Sequence, residues 1–128
     1  MYAAHLRMML VGALVLIAAG AAASSADPVA AGKGYVIAEI TVTDAEAYKQ
    51  YAQAAAPIVT KFGGHYLVRG GQTVALEGEA PAGRIVVIEF GSLAAARAFE
   101  TSAEYQSVAP LRYQAARSRV FLAEGTAP

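Results

Sequence analysis

The sequence predicts an α+β fold, four strands and two helical segments in the order strand, helix, strand, strand, helix, strand. Three observations carry that expectation. Residues 34–42, 65–70, 84–90 and 119–123 are short runs rich in β-branched and aromatic side chains. Between the first and second runs, and between the third and fourth, apolar residues recur at three- and four-residue spacing behind capping residues. Glycines punctuate most of the boundaries.

The first run, GYVIAEITV at 34–42, alternates two sets, Tyr35, Ile37, Glu39, Thr41 and Val36, Ala38, Ile40, Val42. Both sets are largely apolar, so both faces of this strand are expected to be covered. Thr43 and Glu46 have the spacing of a capping box. Behind them Tyr48, Tyr51, Ala52, Ala55, Ile58, Val59 and Phe62 mark one helical face. Pro57 lacks an amide donor and predicts a kink or break near 54–57. Gly63-Gly64 then closes the helix, because a left-handed C-cap favours glycine.

The second strand is expected at 65–70, followed by a long connection at 71–82 with a short hairpin of its own around Thr73–Leu76. RIVVIEF at 84–90 is the strongest strand signal in the chain. Ser92 is placed to cap a helix carrying Leu93, Ala96 and Phe99. Ser102 restarts it with Tyr105, Val108, Leu111 and Tyr113, and Pro110 is expected to interrupt it. The last strand is RVFLA at 119–123. This order is that of the ferredoxin-like βαββαβ sandwich, an antiparallel sheet with two helices on one face. The other sheet face then stays open while carrying apolar residues. Pairing with a second copy, sheet against sheet, is the simplest way to cover it.

The chain has 128 residues, 10 Lys+Arg against 10 Asp+Glu, no cysteine and 56% hydrophobic residues. Balanced charge gives no footprint for nucleic acid. The missing cysteines remove disulfides, thiol catalysis and Cys-ligated metal centres. Part of the apolar excess lies at the N-terminus, where Arg7 precedes the uncharged run MMLVGALVLIAA and the small-residue stretch GAAASSA. Those are the parts of a secretory signal. Residues 1–26 are therefore read as a signal peptide, with cleavage after Ala26 and the nearby alternative after Ala23. The apolar run is short for a membrane anchor. Residues 27–33 form a flexible lead-in, 34–125 the single folded domain and 126–128 a C-terminal tail. The protein is expected to be exported, periplasmic or secreted. Loss of Arg7 takes one positive charge from the 10-against-10 balance and leaves the mature domain one unit negative.

Tyr48 and Tyr51, Gly63-Gly64, Leu67-Val68-Arg69-Gly70-Gly71, Leu76-Glu77-Gly78, Ile88-Glu89-Phe90, Ala96 with Phe99, and Ser102 with Tyr105 stand in a characteristic order and spacing. In this the chain resembles a bacterial domain-of-unknown-function family within the dimeric α+β barrel group of ferredoxin-like proteins. The resemblance spans about residues 33–125. It implies a homodimer whose two sheets face each other around a central barrel, and it implies no activity. His65 departs from the pattern, since an arginine often follows Gly-Gly in that family.

Glu89 stands inside the most apolar strand, in phase with Ile85 and Val87, as Glu39 is in phase with Tyr35 and Ile37. Were the two strands central parallel neighbours, Glu39 and Glu89 would approach one another, and two carboxylates in an apolar cavity suit acid–base work. The competing reading pairs each with an arginine or with backbone donors. His65 is expected across from Glu89 if the second and third strands pair antiparallel, and a His–Glu pair can transfer protons; otherwise it is a strand-entry residue. These two are the catalytic candidates. Arg69 could clamp a carboxylate ligand or pair with Glu77 to fix the loop. Glu39, Arg69, Glu77 and Tyr105 are the ligand-binding candidates. Tyr48, Tyr51, Tyr105 and Tyr113 have core-like spacing and read first as packing residues. Arg112, Arg117 and Arg119 read as a solvated helix end or a dimer rim, with an anionic ligand as the alternative. One mature-chain histidine and scattered carboxylates give no metal spacing, and no cofactor is expected.

The sequence thus reads as an exported homodimer binding a small, partly apolar molecule, with cofactor-free acid–base chemistry around Glu89 and His65. The alternative is a non-catalytic ligand-binding or structural dimerisation module.

Overall fold

The computed structural model describes residues 31–128; the expected signal at 1–26 and the start of the lead-in lie outside the described residues. Alternating β-branched residues build strands β1 (Gly34–Val42), β2 (His65–Arg69), β3 (Arg84–Phe90) and β4 (Ala116–Glu124). They pair antiparallel in the order β2-β3-β1-β4, the ferredoxin-like arrangement. The helices are α1 (Ala45–Lys61), α2 (Leu93–Thr101) and α3 (Ala103–Ala115). Among the described residues no helix is long and apolar enough to cross a membrane.

Cap chemistry explains the helix limits. Asp44, in extended backbone, accepts from the Ala47 amide and caps α1 in place of the expected Thr43. At the other end Gly63, at φ 80°, sends its amide to the Thr60 carbonyl while Gly64 reaches Val59, a Schellman closure. The expected break at Pro57 does not occur, nor does the interruption at Pro110. Both prolines are exposed, and so are Gln53 and Gln106, whose carbonyls lose their helical donors and remain in reach of water. The second helical segment does divide, at Ser102. This residue donates to the Phe99 carbonyl, ending α2, and accepts from the Tyr105 amide, starting α3.

The core lies between one sheet face and the helices. Val36, Ala38, Ile40, Val86, Ile88 and Phe90 point into it from β1 and β3 and meet Tyr48, Ala55, Val59, Ala96, Phe99, Tyr105 and Ala109. Phe99 is its centre, with ring centroids 5.3 Å from Phe90, 4.5 Å from Tyr105 and 6.1 Å from Phe62. On the opposite sheet face, Ile37, Ile85 and Val87 are half-buried and Phe121 is 45% exposed. The expectation that both faces of β1 are covered is therefore met within one protomer only on the helix side. No hairpin forms around Thr73–Leu76; that stretch is irregular, with Val74 and Leu76 exposed.

Candidate functional site

Antiparallel pairing decides where the charged residues fall. Glu39 stands opposite Ile85, and Glu89 opposite Tyr35. The two glutamates share the open face but lie four residues apart along the strands, about 13 Å at the rise of an extended chain. The expected Glu39–Glu89 approach fails for that reason: it required parallel neighbours. Glu39 is instead held by the Ala82 amide at 2.8 Å and by Arg119 at 2.6 Å. The backbone donor first, and the guanidinium second, hold its carboxyl below the usual range. Glu89 accepts from the Tyr35 hydroxyl at 3.2 Å. His65 is the direct cross-strand partner of Glu89, as antiparallel pairing of β2 and β3 requires.

The helix side of the sheet carries a different group. A bulge between Tyr66 and Val68 resets the phase of β2, so Arg69 pairs with Val86, whose side chain belongs to the core. Arg69 therefore turns toward the helices. Its guanidinium lies 4.2 Å over the Tyr66 ring, and Nη2 donates to the Ala52 carbonyl at 3.5 Å. No Arg69–Glu77 pair forms, and Glu77 stands in the exposed β2–β3 connection.

Arg69 and Tyr105 border a cleft between the sheet and the helices, with Tyr48, Tyr51, Tyr66, Arg84, Glu100 and Arg112 as the other polar groups and Val36, Ala38, Ile40, Val59, Val86 and Phe99 among the apolar ones. The empty space, including the mouth open to solvent, is about 530 Å³. The Tyr51 and Tyr105 hydroxyls share a hydrogen bond of 2.9 Å. Burial pushes the phenols of Tyr48, Tyr51, Tyr66 and Tyr105 upward.

Arg112 is 6% exposed, which corrects its reading as part of a solvated helix end. Arg117 and Arg119 are exposed on β4. Arg112 Nη1 donates to Ser118 Oγ, while its Nε has no partner. Arg84 Nη2 donates to the Arg69 carbonyl at 3.3 Å, and its buried Nε is also unpartnered. Sequence reasoning missed Tyr66, Arg84 and Glu100, and held Arg112 as an anion-binding residue only in the alternative. The available signals were phase signals: Arg84 alternates with Val86, Ile88 and Phe90, and Arg112 lies two turns from Tyr105. Tyr113, expected to pack, is 60% exposed.

Burial raises the Glu100 carboxyl, with Arg112 pulling part of the way back. A raised folded-state value favours folding below the unfolded carboxyl range, and that contribution is lost as pH rises through the raised value. Thermal melts of Glu100→Gln are therefore expected to exceed wild type at neutral pH. The two should converge below the ordinary carboxylate range.

Among the described residues, no three His, Asp or Glu side chains gather as a metal site needs. The family described as a domain of unknown function, DUF1330, matches residues 33–126. A solved structure of a protein of unknown function from Rhodopseudomonas palustris is 22% identical, with a TM-score of 0.61, over 76% of this chain and 85% of that one. A methylated form is 21% identical, with a TM-score of 0.59, over 76% and 83%. A cofactor-independent oxygenase from Streptomyces nogalater is 16% identical, with a TM-score of 0.48, over 76% and 98%. At these identities the likeness is one of fold. No curated protein matches.

Proposed function

We propose that this chain, which belongs to the DUF1330 family, is an exported, non-catalytic binding protein: a homodimer joined through its open sheet faces, each protomer holding a small, partly apolar molecule between helices and sheet. The cleft is the observation that carries this reading. It combines apolar walls with a few convergent polar groups, the usual make-up of a small-molecule site. Glu89 and His65 lie on the other face of the sheet from this cleft, and a small molecule held there is out of their reach. The four cleft phenols, raised by burial, serve as neutral hydrogen-bond donors at neutral pH. Dimerisation is supported by the apolar open face, and export by the composition of residues 1–26.

A thermal-shift screen with small aromatic and aliphatic fragments tests the cleft. A ligand at 100 times its Kd stabilises a folded protein by about 2.7 kcal/mol. Wild type should show such shifts, and Ala52→Leu, which fills the cleft beside Tyr66 and Arg69, should lose them while staying folded by circular dichroism. Equal shifts in both proteins would place binding elsewhere.

A further inference from the structure

We infer that the cleft is built for an anion, and that its ligand is a small monocarboxylate with a short apolar or aromatic tail, the carboxylate held between Arg112 and Arg84. This rests on the reading of the cleft as a binding site and specifies the ligand class. The first observation is charge. Arg69, Arg84 and Arg112 line the cleft against one carboxylate, Glu100. Arginine stays protonated in proteins, so the site holds a positive surplus. Arg84 lies 5.0 Å over the Tyr48 ring and Arg112 5.8 Å over the Tyr51 ring, and those two rings are 5.6 Å apart, so both guanidiniums face one region of the cleft.

The second observation is the pair of orphan donors. Arg112 is 6% exposed, with Nε unpartnered, and Arg84 Nε is likewise buried without a partner. A buried donor on a charged group, left without an acceptor, is costly. A carboxylate oxygen is the acceptor that relieves it, and guanidinium suits carboxylate geometry. In the Tyr51–Tyr105 pair one hydroxyl donates to the other, which leaves the second proton free to donate to the same ligand.

The third observation is size and lining. The space that water-sized groups can reach in the cleft is about 40 Å³, enough for a few waters. That admits a carboxylate with few carbons beyond it. Ile40, Val86 and the rings of Tyr48 and Tyr66 are also in the lining and offer a tail apolar contact. Apolar lining of this kind suits an organic acid better than inorganic phosphate.

Calorimetric titration of the mature protein with benzoate and phenylacetate, against their isosteric amides benzamide and phenylacetamide and against inorganic phosphate, tests this. The acids should bind wild type at least tenfold more tightly than the amides. Arg112→Met should bring acid and amide to parity, with circular dichroism checking that the variant is folded. Arg84→Met should narrow the same gap, and the wild-type acid–amide comparison stands without either variant. Amides binding as well as acids would overturn the anion assignment and leave the cleft reading intact. Phosphate binding as tightly as the acids would overturn the carboxylate class. Failure of every organic probe to bind would overturn both the inference and the cleft reading.

Discussion

Replacing Phe99 with alanine is expected to lower folding stability by about 3–5 kcal/mol, the range for an aromatic removed from a closed core. Phe99 is 1% exposed and packs against Phe90 of β3, Tyr105 of α3 and Phe62 at the end of α1. Its loss opens one void shared by four elements, and no single element can move to close it. Whole domains are stable by only about 5–15 kcal/mol, so the variant should sit near the edge of folding. Urea titration followed by circular dichroism measures the difference through the midpoint at unchanged slope. Tyr113→Ala, at a position 60% exposed, is the control and should change stability by less than about 0.5 kcal/mol.

The second large effect concerns assembly. Phe121→Asp should convert the proposed dimer into a monomer. Phe121 is 45% exposed in the protomer and stands opposite Ile37 on the open face. Its replacement therefore costs the protomer little, but in a sheet-to-sheet dimer it buries an unpaired carboxylate, and two-fold symmetry imposes that cost twice. Dissociation should be enhanced at least 100-fold, equivalent to about 2.7 kcal/mol. Light scattering coupled to size exclusion should give a dimer for wild type and a folded monomer for the variant. A wild-type monomer would overturn the facing-sheet arrangement.

How far the sequence could be read depended on which physical constraint was local. The bounds of β1 and β3 follow from alternating β-branched runs ending at glycine or Thr-Asp, and the structure gives the same limits, 34–42 and 84–90. β4 begins three residues earlier than its apolar core suggested, because Ala116–Ser118 pair with Ile40–Val42 through backbone alone. The prolines misled because a missing amide matters only where the orphaned carbonyl is dry, and burial is a tertiary property.

The site followed the same division. The His65–Glu89 juxtaposition was legible, since it needs only antiparallel pairing of β2 and β3. The Glu39–Glu89 approach was not, because it depends on the relative direction of strands far apart in sequence. Arg69 could be picked out as a carboxylate clamp, but its turn into the cleft depends on the bulge at Tyr66–Val68. In sequence Arg112 reads as a solvated helix end or a dimer rim, because charged residues near a helix end are usually exposed. Its burial follows from the packing of α3 against α1 and the sheet, which periodicity alone does not reveal.

In the proposed reading the ligand enters between helices and sheet, away from the open face carrying Glu89 and His65. Tyrosine residues report on both places. Protein carrying 13C-labelled tyrosine, titrated with phenylacetate, should show saturable shifts at Tyr48, Tyr51, Tyr66 and Tyr105, with Tyr35 unchanged. Saturable shifts confined to Tyr35, beside Glu89, or no saturable shift at any tyrosine, would contradict it.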